Sequence, residues 1–260
     1  MNNSNPIGLF DSGIGGTSIW KEIHQLLPNE NTVYLADSKN APYGKKSKEE
    51  IVSLCFKNVD FLLEQNCKMI VVACNTATTN AIKELREKYD VPFIGIEPAI
   101  KPAANQSETQ TIGILATKGT LNSDLFNKRV ESYTNIRILE QVGYGLVELI
   151  EGGKIETEEM RNLLKIYLRP MIAENIDYLV LGCSHYPYLI PEIKKIIPPH
   201  IKIIDSGQAV ARQTKAILEQ NQMLNTVRIK EGNATFYTNS DAQVLKTILG
   251  FDDNVFEKDF

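Results

Sequence analysis

The sequence predicts an α/β protein of two similar domains, pseudo-twofold related, each a mostly parallel sheet flanked by helices. Short apolar runs alternate with longer amphipathic segments along all 260 residues, the rhythm of parallel sheets covered on both faces. A weak internal repeat pairs segments 105 to 109 residues apart. A chain of this length also has room for one large or two modest domains, at about 100–200 residues each.

Taken in chain order, the first apolar run, Ile7–Phe10, reads as a strand, and Asp11-Ser12-Gly13-Ile14-Gly15-Gly16-Thr17 follows it and opens a helix. Glycines there allow positive φ and close backbone approach to a ligand. The loop fails as a dinucleotide fingerprint because Ser18 stands where a third glycine belongs, and it lacks the Gly-Lys-Ser/Thr ending of a phosphate loop. Thr32–Ala36 is the next strand, and Pro42-Tyr43-Gly44 is a turn signal. Ser47–Glu64 is the clearest helix: Ser47 and Glu50 form a capping box, and Ile51, Leu54, Cys55, Asn58 and Leu62 keep a period near 3.6. Met69–Ala73 is a strand that runs into Cys74 and a helix reaching Lys88. Further strands are expected at Phe93–Ile96, Thr111–Leu115, Ile136–Leu139, Tyr178–Leu181, Ile201–Ile204 and Thr235–Thr238. Leu146 to Glu151 reads as a helix ended by Gly152-Gly153, where an exposed charge is the default expectation for Glu151.

In the repeat, Ile7-Gly8-Leu9-Phe10-Asp11-Ser12-Gly13 matches Ile112-Gly113-Ile114-Leu115-Ala116-Thr117-Lys118. Val71-Val72-Ala73-Cys74-Asn75-Thr76 matches Leu179-Val180-Leu181-Gly182-Cys183-Ser184-His185, and Glu97 corresponds to Asp205. Two halves facing each other would each offer one cysteine to a site at the strand ends, where open α/β sheets bind ligands. We expect residues 1–97 with 207–260 to form the first domain and 98–206 the second.

Composition narrows the function. A formal charge of −4 and scattered lysines give no basic face for nucleic acid. No apolar run approaches the roughly 20 residues of a membrane span, and the start from Met1 to Pro6 has no charged or long apolar leader, so no secretory signal is expected. Four cysteines without CxxC spacing fit free thiols in a reducing cytoplasm. Three histidines and four cysteines are too dispersed for a metal site.

Cys74 and Cys183 each end an apolar strand and precede a helix start, Asn75-Thr76-Ala77-Thr78 in one case and Ser184-His185-Tyr186-Pro187 in the other. A thiol pKa of about 8.5 can be lowered near a helix N-terminus, and the free amides there can hold a carboxylate. Two such thiols suit a reaction that removes a proton from one face of a carbon and returns one to the other. Asp11 could orient the partner of the Cys74 thiolate or bind a substrate ammonium. His185 could assist Cys183 or be satisfied by local backbone. Cys55 and Cys67, within or at the end of a helix, read as small core hydrophobes, and His24 and His200 as surface residues.

Asp11-Ser12-Gly13-Ile14-Gly15-Gly16, Pro42-Tyr43-Gly44, Cys74-Asn75-Thr76-Ala77-Thr78 and Gly182-Cys183-Ser184-His185-Tyr186-Pro187 together resemble the glutamate racemases, in that family's order and across nearly the whole chain. The resemblance implies two α/β domains with the active site between them, usually in a homodimer. It implies interconversion of L- and D-glutamate without pyridoxal phosphate, metal or other cofactor, supplying D-glutamate for peptidoglycan. Cys74 would take the α-proton of one enantiomer and Cys183 that of the other, assisted by Asp11 and His185 respectively. Substrate contacts would come from Asp11, Ser12, Tyr43, Gly44, Asn75, Thr76, Ser184 and His185. Glu151 matches, more loosely, a carboxylate near the Cys183 side. The family usually has threonine where this chain has Ser184, so binding is expected to survive and the missing methyl to bear on turnover.

Rival readings are an aspartate or hydantoin racemase of the same two-thiol superfamily, a Cys183/His185 hydrolase, a two-lobed amino-acid binding module and a pyridoxal-phosphate racemase. The Asp11–Gly16 opening and His185 favour the glutamate branch, and a hydrolase would leave Cys74 without a purpose.

Overall fold

A computed structural model describes residues 3–226 and 232–260; Met1 and Asn2, which open the segment read as leaderless, lie outside them. The short apolar runs form strands β1 (Ile7–Asp11), β2 (Thr32–Ala36), β3 (Met69–Val72), β4 (Phe93–Gly95), β5 (Thr111–Ala116), β6 (Arg137–Val142), β7 (Tyr178–Gly182), β8 (Lys202–Ile204), β9 (Ala234–Thr238) and β10 (Val255–Glu257). Helices cover the sheets. The capping box opens the second of them, Lys48–Glu64: Ser47 Oγ accepts from the Glu50 amide at 3.2 Å, and the Glu50 carboxylate accepts from the Ser47 amide at 2.9 Å.

One sheet has the order β10-β9-β2-β1-β3-β4 and the other β6-β5-β7-β8, with parallel pairing throughout. The run β2-β1-β3-β4 therefore has the same order as β6-β5-β7-β8. The registers agree as well: Gly8 pairs with Ile70, and Gly113, 105 residues on, pairs with Leu179, 109 beyond Ile70. The repeat visible in the sequence is thus a repeat of topology.

Differences from expectation fall at edges. β6 extends to Val142 because its polar Glu140 and Gln141 lie on an edge strand with no fully buried position, so no continuous apolar run marks it. β10 is new, a three-residue edge strand exposed at Phe256 and Glu257. His200 is exposed, but His24 is half-buried and stacked on Trp20 with ring centroids 4.9 Å apart, so the surface expectation for it fails. One apolar cluster runs from Ile14, Ile19 and Val71 to Leu146, Ile150 and Leu181, joining the segments around both sheets. Among the described residues no helix is long and apolar enough to cross a membrane.

Candidate active site

Four strands deliver the site from their carboxyl ends: Asp11 closes β1, Thr117 follows β5, Cys183 follows β7, and Cys74 lies two residues beyond β3. Cys74 and Cys183 line the same cavity. Of the residues singled out in the sequence, Ser12, Tyr43, Gly44, Asn75, Thr76, Ser184 and His185 also line it, together with Pro42, Thr117 and Val147. Asp11 and Glu151 do not reach it.

Cys74 is the N-cap of the helix Asn75–Lys88, and its Sγ accepts from the Ala77 amide at 3.4 Å and lies 3.7 Å from Ser12 Oγ. The helix start does not lower the Cys74 thiol pKa. Burial, together with the nearby Asp11 carboxyl, holds the Cys74 thiol well above its ordinary value and outweighs the Ala77 amide and the Ser12 hydroxyl. Burial likewise pushes Cys67 up to about 12 and raises Cys55, both of which are buried as expected of core thiols.

Cys183 precedes a short 3-10 helix, Tyr186–Leu189, instead of an α-helix, with Pro187 in its first turn. Its Sγ is 3.8 Å from His185 Nδ1. The other ring nitrogen, Nε2, lies 2.5 Å from Glu151 Oε1. Burial works against charging His185, but its contacts with Cys183 and Glu151 and the charge of Asp11 prevail and hold its pKa well above the usual histidine value. The alternative of a histidine satisfied by backbone gives way to one held by side chains.

Glu151 is not the exposed charge expected at a helix end. Its side chain is 14% exposed and accepts from the Ile14 amide at 2.7 Å and from Ser38 Oγ at 2.8 Å, in addition to His185. The helix Leu146–Glu151 turns its last residue into the glycine loop after β1, and the glycines make room for it. A Cβ on Gly13 would overlap the Glu151 carboxylate, and one on Gly15 would overlap the His185 ring. Positive φ, the other service expected of these glycines, is not used: among the described residues the glycines with positive φ are Gly145, Gly153 and Gly250.

Asp11 was expected to touch substrate, yet it is wholly buried behind the loop. Its Oδ2 accepts from the Gly13 and Gly16 amides at 3.2 and 3.0 Å, and its Oδ1 accepts from Ser184 Oγ at 3.0 Å. Loop amides fold back on the last residue of β1 and keep its carboxyl from the cavity, and burial raises its pKa. The hydroxyl that Ser184 shares with threonine thereby sits between Asp11 and His185, whose Nδ1 is 3.4 Å away. Tyr43 lines the cavity, but its hydroxyl donates to Asp37 and accepts from Asn58 Nδ2 at 3.0 Å, which leaves the ring and backbone to face a ligand.

Asn75 behaves differently. It is 2% exposed, and among the described residues neither its Nδ2 nor its Oδ1 has a hydrogen-bond partner. A buried amide left unpaired costs about 1–3 kcal/mol, so a polar ligand in the cavity is the natural partner. Thr76 Oγ1 meets Thr117 Oγ1 at 2.8 Å and Thr120 Oγ1 at 3.2 Å. Thr117 was missed in the sequence, although the repeat held the signal: it is the counterpart of Ser12. Gly44 packs against it, where a Cβ would come within 2.9 Å of Thr117 Cβ.

Known proteins resemble this chain over most of its length. The family model described as Asp/Glu/Hydantoin racemase matches residues 7–214. A curated glutamate racemase of Ectopseudomonas mendocina is 45% identical over 253 residues, 96% of this chain and 95% of that protein. The crystal structure of a glutamate racemase isoform from Bacillus anthracis superposes with a TM-score of 0.87 at 32% identity, covering 99% of this chain and 98% of that one. That of Escherichia coli glutamate racemase, solved in complex with L-glutamate, gives a TM-score of 0.86 at 34% identity and 98% coverage of both chains.

Proposed function

The chain belongs to the Asp/Glu/Hydantoin racemase family, and we propose that it interconverts L- and D-glutamate by a cofactor-independent exchange of protons between the substrate α-carbon and two thiols. The supporting observation is that Cys74 and Cys183, from equivalent strand ends of the two sheets, line one cavity.

Cys74, as the thiolate, takes the α-proton from one face. The C–H electron pair stays on the substrate and spreads into the adjoining carboxylate. The Cys183 thiol then protonates the opposite face, leaving Cys74 as thiol and Cys183 as thiolate. The reverse direction exchanges these roles. Unpaired Asn75, with the Ser12 and Thr76 hydroxyls and the Ser184 backbone amide, supplies polar partners for the substrate. His185 exchanges a proton with Cys183 through Nδ1, and Glu151 holds its other nitrogen. Asp11 acts on the Cys74 side as a positioning residue through the loop amides and Ser184. Residues 1–97 with 207–260 and residues 98–206 are proposed as the two domains, paired in a cytoplasmic homodimer whose D-glutamate feeds peptidoglycan.

Circular dichroism of the purified protein with L-glutamate, then with D-glutamate, in D2O without added cofactor tests the proposal. Both signals should decay to zero as deuterium enters the α-position, and Cys74→Ala and Cys183→Ala should each lose at least about 100-fold. Near-normal turnover in either variant would defeat the two-thiol assignment. Faster racemisation of aspartate than of glutamate would move the substrate elsewhere in the family.

A further inference from the structure

Ser38 lies outside the cavity lining, on the 3-10 turn Ser38–Asn40 that follows β2. It is half-buried, and its Oγ donates to Glu151 Oε2 at 2.8 Å. The other carboxylate oxygen, Oε1, accepts from the Ile14 amide at 2.7 Å and meets His185 Nε2 at 2.5 Å. We propose that Ser38 is a positioning residue for the Cys183 half of the reaction, acting through Glu151 and His185. The inference rests on the racemase reading above and deepens it.

The argument is geometric. A carboxylate held at one oxygen can still rotate about its Cγ–Cδ bond. Donors on both oxygens, Ile14 N–H and Ser38 O–H, fix its plane and so fix the direction in which Oε1 meets the imidazole. With Nε2–H committed to Glu151, the nitrogen left to exchange a proton is Nδ1, the one 3.8 Å from Cys183 Sγ. When Cys183 must give up its proton, that proton passes to Nδ1, and it returns by the same path. Both fixing donors come from segments attached to the six-stranded sheet, whereas Glu151, His185 and Cys183 ride on segments around the four-stranded one. The orientation of the histidine beside one thiol is therefore set by the opposite half of the molecule. Removing the hydroxyl leaves Oε2 without the partner seen here and frees the carboxylate to turn.

Kinetics of Ser38→Ala and Ser38→Thr with both enantiomers test this. For Ser38→Ala we expect kcat to fall by about 10- to 100-fold, the scale of a misplaced catalytic group, with KM changed by less than about threefold. Ser38→Thr keeps the hydroxyl and should stay near wild type. α-Deuterated substrates supply a readout that general loosening would not move. In the direction where Cys183 removes the α-proton, the substrate isotope effect of Ser38→Ala should rise. In the opposite direction it should fall while the solvent isotope effect rises, because reprotonation by Cys183 becomes limiting. Wild-type kinetics in Ser38→Ala, isotope effects that change alike in both directions, or an equal loss in Ser38→Thr would each overturn the inference. Should Ser38→Ala fail to fold, Ser38→Gly takes its place: the same direction-dependent isotope effects uphold the role of the hydroxyl, and wild-type isotope effects overturn it. A wild-type protein that racemises no amino acid would instead remove the reading on which the inference rests.

Discussion

A Cβ on Gly15 would come within 2.2 Å of His185 Nδ1. The glycine loop after β1 and the histidine after β7 thus meet with no room for a methyl group, and their sequence separation hides the contact. Gly15→Ala should therefore misplace His185 and lower kcat by about 100-fold, as expected for a catalytic group moved by about 1 Å. Overpacking should cost about 1–3 kcal/mol of stability. The φ of Gly15 is not positive, so backbone strain adds nothing. Circular-dichroism assay of the folded variant decides: full activity in Gly15→Ala would mean that the ring yields without loss.

Asn75 should show an opposition between stability and activity. Its unpaired amide is a cost the unliganded protein bears, and leucine has nearly its shape without its polar atoms. Asn75→Leu is expected to raise unliganded stability by about 1–3 kcal/mol while raising KM for glutamate at least tenfold, the loss of about one good hydrogen bond. Glutamate should also raise the Tm of the wild type more than that of the variant. A lower Tm together with an unchanged KM would contradict the assignment of this amide to a ligand.

Thiol chemistry offers a third check. Burial holds Cys74 well above the ordinary thiol range, with Cys67 at about 12 and Cys55 raised too. Only the thiolate alkylates, so these three should resist iodoacetamide in the unliganded protein at neutral pH. Peptide mass spectrometry across a pH series should show Cys74 labelling still rising beyond pH of about 9. A plateau below about pH 8 would mean that its thiolate is stabilised after all by the helix start it caps.

The sequence displayed whatever depends on local pattern. Apolar runs marked most strands, Ser47 and Glu50 marked a helix start, and the repeat foretold that Cys74 and Cys183 would follow equivalent strands. It concealed what depends on neighbours. Glu151 looked like a helix-end charge because its partners, Ile14, Ser38 and His185, are far away in the chain. Asp11 looked like a ligand for substrate because nothing local reveals that Gly13, Gly16 and Ser184 occupy its oxygens. A helix start that can activate Cys74 is visible in sequence, whereas the depth of burial that opposes it is not.

His185 makes stability depend on pH in a direction that can be worked out. Burial alone would depress its pKa, yet Cys183, Glu151 and Asp11 together raise it well above the usual value. A histidine with a raised pKa binds its proton more tightly folded than unfolded. Its contribution is therefore complete below the unfolded value of about 6.5 and is lost as the pH climbs through the folded value. Asp11, also raised by burial, works in the same sense, but its loss begins near the carboxyl value of about 3.9, well below that window. Comparing Tm for wild type and His185→Gln at pH 6, 7.5 and 9 isolates the imidazole. The advantage of the wild type should be largest at pH 6 and shrink steadily above it. An advantage that stayed flat or widened toward pH 9 would mean that the three neighbours do not hold a proton on His185, and the path assigned to Nδ1 would lose its support.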